Sequence, residues 1–108
     1  MRTRAPYRAR KGEAMKNVMI FYLEGCPYCR DARRALSSLL EEKPEYAGIG
    51  VRWVEENRER ETAERYEYYY VPSVFAGEKK LYEAHPSESY EIIREKLDAA
   101  LAAVLKEN

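Results

Sequence analysis

Residues 15–29 read Met-Lys-Asn-Val-Met-Ile-Phe-Tyr-Leu-Glu-Gly-Cys-Pro-Tyr-Cys. The run from Met15 to Leu23 is rich in β-branched and aromatic side chains, so it reads as a buried strand. Glu24 and Gly25 break it. Pro27 suits the first turn of a helix, where its missing N–H costs nothing. Cys26 therefore stands where a strand ends and a helix begins, and Cys29 falls in the first helical turn. The helix is expected over 27–42, ending before Pro44. Its apolar side would carry Cys29, Leu36, Leu39 and Leu40, with Ala32 or Arg33 between.

That placement has a chemical consequence. A disulfide is exchanged by a thiolate, and the thiolate is the minor form of a free cysteine at neutral pH. A helix N-terminus offers unpaired N–H groups and the positive end of the macrodipole, both of which favour the thiolate. Cys26 is the expected nucleophile. Arg30 and Arg33 would add positive charge, with Glu24 and Asp31 opposing them. Cys29, three residues on, shares a helix face with Cys26 and is expected to be the buried, resolving thiol. Tyr28 is expected at the surface as an apolar lip for substrate. The competing reading of a C-x-x-C is a zinc site, which takes about four ligands. The chain offers only two cysteines and one histidine, His85, so no metal site is expected. A static disulfide is a weak reading, because so small a ring constrains little.

Working outward, a second strand is expected over 49–54, parallel to the first because a helix joins them. Asn57 would cap a short helix over 58–67, with Ala63 and Tyr66 toward the core. Tyr68-Tyr69-Tyr70-Val71-Pro72 should be extended. Residues 73–76 and 79–83 read as a hairpin about Gly77-Glu78. Ser87 would cap a last helix running to about Lys106, striped by Tyr90, Ile93, Leu97, Leu101 and Val104. The order is β-α-β-α-β-β-α, an α/β arrangement of a four-stranded mixed sheet flanked by three helices. Trp53 is expected in the core, and the tyrosines at 66, 68, 69 and 70 chiefly as edge packing.

With 108 residues the chain suits one domain. The formal net charge is zero, yet residues 1–16 carry six basic residues against Glu13 alone. Residues 1–14 are expected to be a basic, disordered extension ahead of a domain at 15–108. They lack the apolar core of a secretory signal, so a cytoplasmic setting is expected. No stretch is long and apolar enough for a transmembrane helix, so no membrane partner is expected. Nucleic acid is not expected as a partner either, and a monomer is.

Cys26-Pro27-Tyr28-Cys29 resembles the active-site tetrapeptide of dithiol glutaredoxins. Ala63-Glu64-Arg65-Tyr66 followed by Val71-Pro72-Ser73-Val74-Phe75 looks more like thioredoxin. The resemblance covers about residues 17–105 and implies a thioredoxin fold. It implies a thiol–disulfide oxidoreductase acting on a disulfide-containing protein or a glutathione mixed disulfide. Glutathione as co-substrate, or a reductase, would be the electron donor, with no tightly bound cofactor. With the spacing to the cysteines, it also implies a cis Val71-Pro72 bond facing them, against the alternative of an ordinary extended X-Pro. The Val71 N–H and C=O would then be free to pair with an extended substrate. The chain departs from glutaredoxins in carrying Glu24 where they place a lysine, and Ala84-His85-Pro86-Ser87-Glu88 where they place Gly-Gly and an acid. It lacks the tryptophan and Gly-Pro of thioredoxins. Two other readings stay open. One is a module in which Cys26 of two subunits and two glutathiones hold an iron–sulfur cluster. The other is a non-enzymatic interaction domain.

Overall fold

A computed structural model describes residues 16–107; the expected extension at 1–14 and the start at Met15 lie outside the described residues. Strand β1 is Asn17–Tyr22, followed by helix α1 (Pro27–Glu42) and a 3-10 turn at Pro44–Gly48. Then come β2 (Gly50–Glu55), α2 (Arg60–Ala63), the hairpin β3 (Ser73–Ala76) and β4 (Lys79–Glu83), and α3 (Tyr90–Lys106). The sheet order is β2-β1-β3-β4. β1 and β2 are parallel, and β3 runs antiparallel to both of its neighbours, β1 and β4. This is the expected thioredoxin-fold order, and β3 and β4 have the expected bounds.

Alternation along β1 divides the core in two. Val18 and Ile20 point to one face, where they meet Ala35, Leu36 and Leu39 of α1 and Leu97, Leu101 and Val104 of α3. Phe21 points to the other, against Val54 and Phe75, with Tyr66 and Tyr68 packed on them. The Phe21 and Tyr68 rings stack at 4.9 Å, and Tyr66 lies 5.0 Å from Phe21 and 4.9 Å from Phe75. Half of the tyrosine run, Tyr66 and Tyr68, is therefore packing as expected, whereas Tyr69 and Tyr70 are 92% and 46% exposed.

Several expectations need correction. Leu40 is exposed, and Ala35 takes its place on the buried side of α1. Helix α2 is one turn long, its cap position is Glu59, and Asn57 caps nothing. The reason is Glu55: its Oε1 accepts the Asn57 and Arg58 N–H groups, and its carbonyl accepts those of Arg58 and Glu59. Residues 56–59 are thereby wound into a turn and the helix starts late. After it, the Arg65 and Tyr66 N–H groups reach back only three residues, to Thr62 and Ala63, which tightens and ends the turn. The cap of α3 is Ser89, whose Oγ accepts the Ile92 N–H, and not Ser87. Ser87 has a φ of 72°, outside the geometry of an N-cap. Trp53 is half-buried, packed against the edge of the larger core.

Candidate functional site

The local geometry of α1 begins with Cys26 itself. It is the N-cap residue, in extended conformation at φ −81° and ψ 119°. Its Sγ accepts the Cys29 N–H at 3.2 Å. Its carbonyl starts the helix by accepting the Arg30 N–H. A sulfur thus stands where a Ser or Asp oxygen usually caps a helix, and the donor it receives would strengthen if that sulfur became anionic. Pro27 occupies the first helical position without wasting a donor.

The two thiols are free and unequally placed: Cys26 is half-buried and Cys29 is 3% exposed. Burial, reinforced by the hydrogen bond to Cys26, pushes the Cys29 thiol well above the ordinary cysteine range. Cys29 is therefore held neutral, which suits a thiol that waits.

Val71 and Pro72 come to the same place. The Val71 carbonyl oxygen lies 3.9 Å from Cys26 Sγ, and the Val71-Pro72 peptide bond is cis. Pro72 is buried, and its carbonyl accepts the Ala84 N–H at 3.0 Å, which ties the segment to the end of β4. The structure thus gathers Cys26, Cys29, Val71 and Pro72. Tyr28 is different: it is half-buried and no free lip. Its phenol oxygen accepts the Ser87 N–H at 2.8 Å, fastening the tetrapeptide to the loop between β4 and α3. His85, in that loop, is exposed and lies edge-on to Tyr70, with ring centres 5.9 Å apart.

Two carboxylates that the sequence reading did not single out hold the loops in position. Glu55 ends β2 and is 7% exposed. Its Oε2 accepts the Glu24 N–H at 3.0 Å, two residues before Cys26. Those N–H groups, the Glu24 amide foremost, hold its carboxyl below the usual carboxylate range despite burial. Glu83 ends β4, and its Oε2 accepts the Tyr69 and Tyr70 N–H groups at 2.6 and 2.7 Å. Its Oε1 meets Lys80 Nζ at 2.6 Å. Burial pushes the Glu83 carboxyl up, but Lys80 and the two amides outweigh it and the net shift is downward. The signal available in the sequence was positional: each glutamate is the last residue of a strand beside the one that feeds the site. Among the described residues no cluster of three or more His, Cys, Asp or Glu side chains is gathered to hold a metal, and no helix is long and apolar enough to cross a membrane.

A capped sulfur at a helix start, a buried neutral thiol one turn on, and a peptide carbonyl beside them can perform thiol–disulfide exchange. Solved structures share the architecture. The germline-specific thioredoxin Deadhead of Drosophila melanogaster superposes with a TM-score of 0.58 at 20% identity, covering 82% of this chain and 81% of its own. A malarial protein gives 0.54 at 14% identity, covering 79% and 96%. A thioredoxin variant from Halobacterium salinarum gives 0.52 at 16% identity, covering 79% and 74%. No curated protein matches the chain in sequence. The sequence model of the glutaredoxin family matches residues 18–81, from the first strand through both cysteines and Val71-Pro72 to β4. The chain belongs to the glutaredoxin family.

Proposed function

We propose that the protein is a dithiol oxidoreductase that reduces protein or glutathione mixed disulfides and so contributes to cell redox homeostasis. The observation that carries this reading is the asymmetry of the two thiols, with the Cys29 N–H directed at Cys26 Sγ and Cys29 itself buried. The Cys26 thiolate attacks one sulfur of the substrate disulfide. That S–S bond breaks, a mixed disulfide forms on Cys26, and the first substrate thiolate leaves and takes a proton. Cys29 then gives up its proton, and its thiolate attacks Cys26 Sγ. The second substrate thiol is released and a Cys26–Cys29 disulfide remains. Two electrons have passed to the substrate. Two glutathione thiols, or a reductase, return the pair to the dithiol, with glutathione leaving as its disulfide. A cytoplasmic setting, where thiols are kept reduced, suits this role.

The test is to mix reduced protein with oxidised glutathione, quench with an alkylating agent and read the mass. Loss of two protons with Cys26 joined to Cys29 is the expected result. Cys26→Ser should abolish exchange. Cys29→Ser should accumulate a glutathione adduct on Cys26, because nothing resolves it. Two free thiols after long incubation would overturn the reading.

A further inference from the structure

The two faces of the sheet are unequally covered. Helices α1 and α3, of 16 and 17 residues, pack on the face that carries Val18 and Ile20. The opposite face, that of Met19 and Phe21, has only α2, a turn of 4 residues, and the tyrosines that follow it. Tyr66 and Tyr68 close over Phe21, so the half of this face nearest Cys26 is sealed. The other half, at the start of β1, is open. A cleft of about 430 Å³ lies there, bordered by Met19, Tyr66 and Phe75. Register sets Met19 beside Phe75 on one side and Arg52 on the other. Gly50 and Gly77 also border the cleft and add no side chain to fill it. At about 30 Å³ per water, it holds about fourteen waters, room for an aromatic side chain and its neighbours.

The chain itself leads into this cleft. Lys16 and Asn17 border it, and residues 1–15 precede them. Those residues hold 5 basic side chains against Glu13 alone, whereas residues 16–107 hold 14 basic and 18 acidic ones. The cleft continues past Tyr66 and Phe75 to Glu67 and Glu78. Among the described residues, neither of these acids forms an ion pair. Two nearby cations are already answered, Arg52 by Glu59 at 2.5 Å and Lys80 by Glu83 at 2.6 Å. Arg65 is the remaining cation at that end. Tyr7 is the only aromatic residue before Lys16 and stands 9 positions ahead of it. That is up to about 30 Å of extended chain, with Gly12 between them, where a reversal of direction meets least resistance. A tyrosine seated in such a cleft buries its ring and keeps its hydroxyl at the edge.

We propose that residues 1–15 lie back across this face of the sheet, with Tyr7 in the cleft on Met19, Tyr66 and Phe75, and the flanking arginines toward Glu67 and Glu78. The occupant is the chain's own N-terminal segment, and it covers what α2 is too short to cover. The proposal does not depend on the exchange reaction above.

Two measurements on the full chain test it. In the first, Tyr7 is replaced by p-benzoylphenylalanine, whose ketone cross-links to nearby C–H bonds on irradiation, those of methionine most readily. Cross-links within one chain to residues 17–19, 50–52 or 75–77 are expected, Met19 foremost. In the second, hydroxyl radicals convert exposed methionine to its sulfoxide, and the rate at Met19 is read by peptide mass. Tyr7→Ser should raise that rate several-fold. About 0.5 M salt, which screens the arginine contacts, should raise it less, as should Glu67→Gln combined with Glu78→Gln. Cross-links carried only by a covalent dimer would overturn the proposal and assign the face to a second copy of the chain. A Met19 rate unchanged by Tyr7→Ser would overturn it as well, since the segment would then leave the cleft uncovered.

Discussion

Two loops meet at Cys26, and they are held by the same device with different electrostatics. One runs from β1 through Glu24 to the cysteine, and the other runs from α2 through Tyr69 and Tyr70 to Val71. The first directs the Glu24 N–H, and the second the Tyr69 and Tyr70 N–H groups, to one carboxylate on the adjacent strand. Register explains the match: Tyr22 pairs with Glu55 and Ser73 pairs with Glu83. A glutamate at the end of a neighbouring strand thus lies level with the point where a loop leaves or enters the sheet. The compensation differs. Glu55 is answered mainly by peptide N–H groups, those of Glu24, Asn57 and Arg58. Glu83 is answered by two amides and by the Lys80 ammonium. The Cys26 loop therefore depends on oriented dipoles, and the Val71 loop depends on dipoles together with the Lys80 ammonium.

The largest effect should come from cutting the second clamp. Glu83→Ala leaves two amides and Lys80 without their acceptor. The three bonds lie at exposed positions, where water replaces part of the lost acceptor, so a loss of about 1–2 kcal/mol is expected. Glu83→Gln keeps an acceptor oxygen for the amides and should lose less than half of that. Urea unfolding of the three proteins measures it. Equal losses for Ala and Gln would mean that Lys80, and not the amide pair, is what Glu83 serves, and the parallel with Glu55 would break.

The division between legible and illegible follows from how far each signal reaches along the chain. β3 and β4 were placed correctly because Gly77-Glu78 punctuates two short runs, and Gly77 indeed has a φ of 61°. The stripe Ile93, Leu97, Leu101 and Val104 is buried as its spacing requires. The placing of Cys26 and Cys29 also followed from local pattern, since strand, breaker and Pro27 are contiguous. What failed was anything decided by a side chain whose direction the local pattern does not carry, whether it lies near in sequence or far. Asn57 was a plausible cap until Glu55 took its N–H, and Ser87 was a plausible cap until its own N–H went to Tyr28, 59 positions away. Tyr28 was read as a free lip for the same reason. Of the two candidates for the apolar side of α1, Ala32 is buried and Arg33 is exposed; the Arg33 guanidinium carbon lies 4.2 Å from the centre of the Trp53 ring, a contact that no spacing within α1 announces.

A smaller effect should separate the clamps by pH. The Glu55 carboxyl is held below its ordinary value in the folded chain. The stability it contributes is therefore fully present above the unfolded value, about 4.3, and is lost as pH falls through the lower folded value. Glu55→Gln has no such titration. The wild type should be the more stable at pH 6, and the gap in thermal midpoint between the two should close as the pH falls below about 4. Single-turnover exchange should show the same variant slowed at pH 6, since the Glu24 amide sets the approach to Cys26. A gap that stays constant down to pH 3 would mean that the amides are served equally well by a neutral oxygen, and the electrostatic contrast with Glu83 would lose its basis.

The smallest effect concerns a bond that ties the tetrapeptide to the loop after β4. Tyr28 belongs to the tetrapeptide, and Ser87 belongs to the loop that continues the Glu83 strand. Their hydrogen bond, Ser87 N–H to Tyr28 Oη at 2.8 Å, is neutral and lies at an exposed position. Water can replace the phenol oxygen there, so Tyr28→Phe should cost at most about 0.5–1 kcal/mol of stability. Its consequence should appear in backbone mobility: amide exchange at Ser87 should quicken in the variant, while that at Tyr69 and Tyr70, which Glu83 holds, should not change. If Tyr69 and Tyr70 quicken as well, the tetrapeptide and the Val71 loop are coupled through this bond. The two clamps would then act as one unit, and a substrate that displaces Tyr28 would loosen both sides of its own groove.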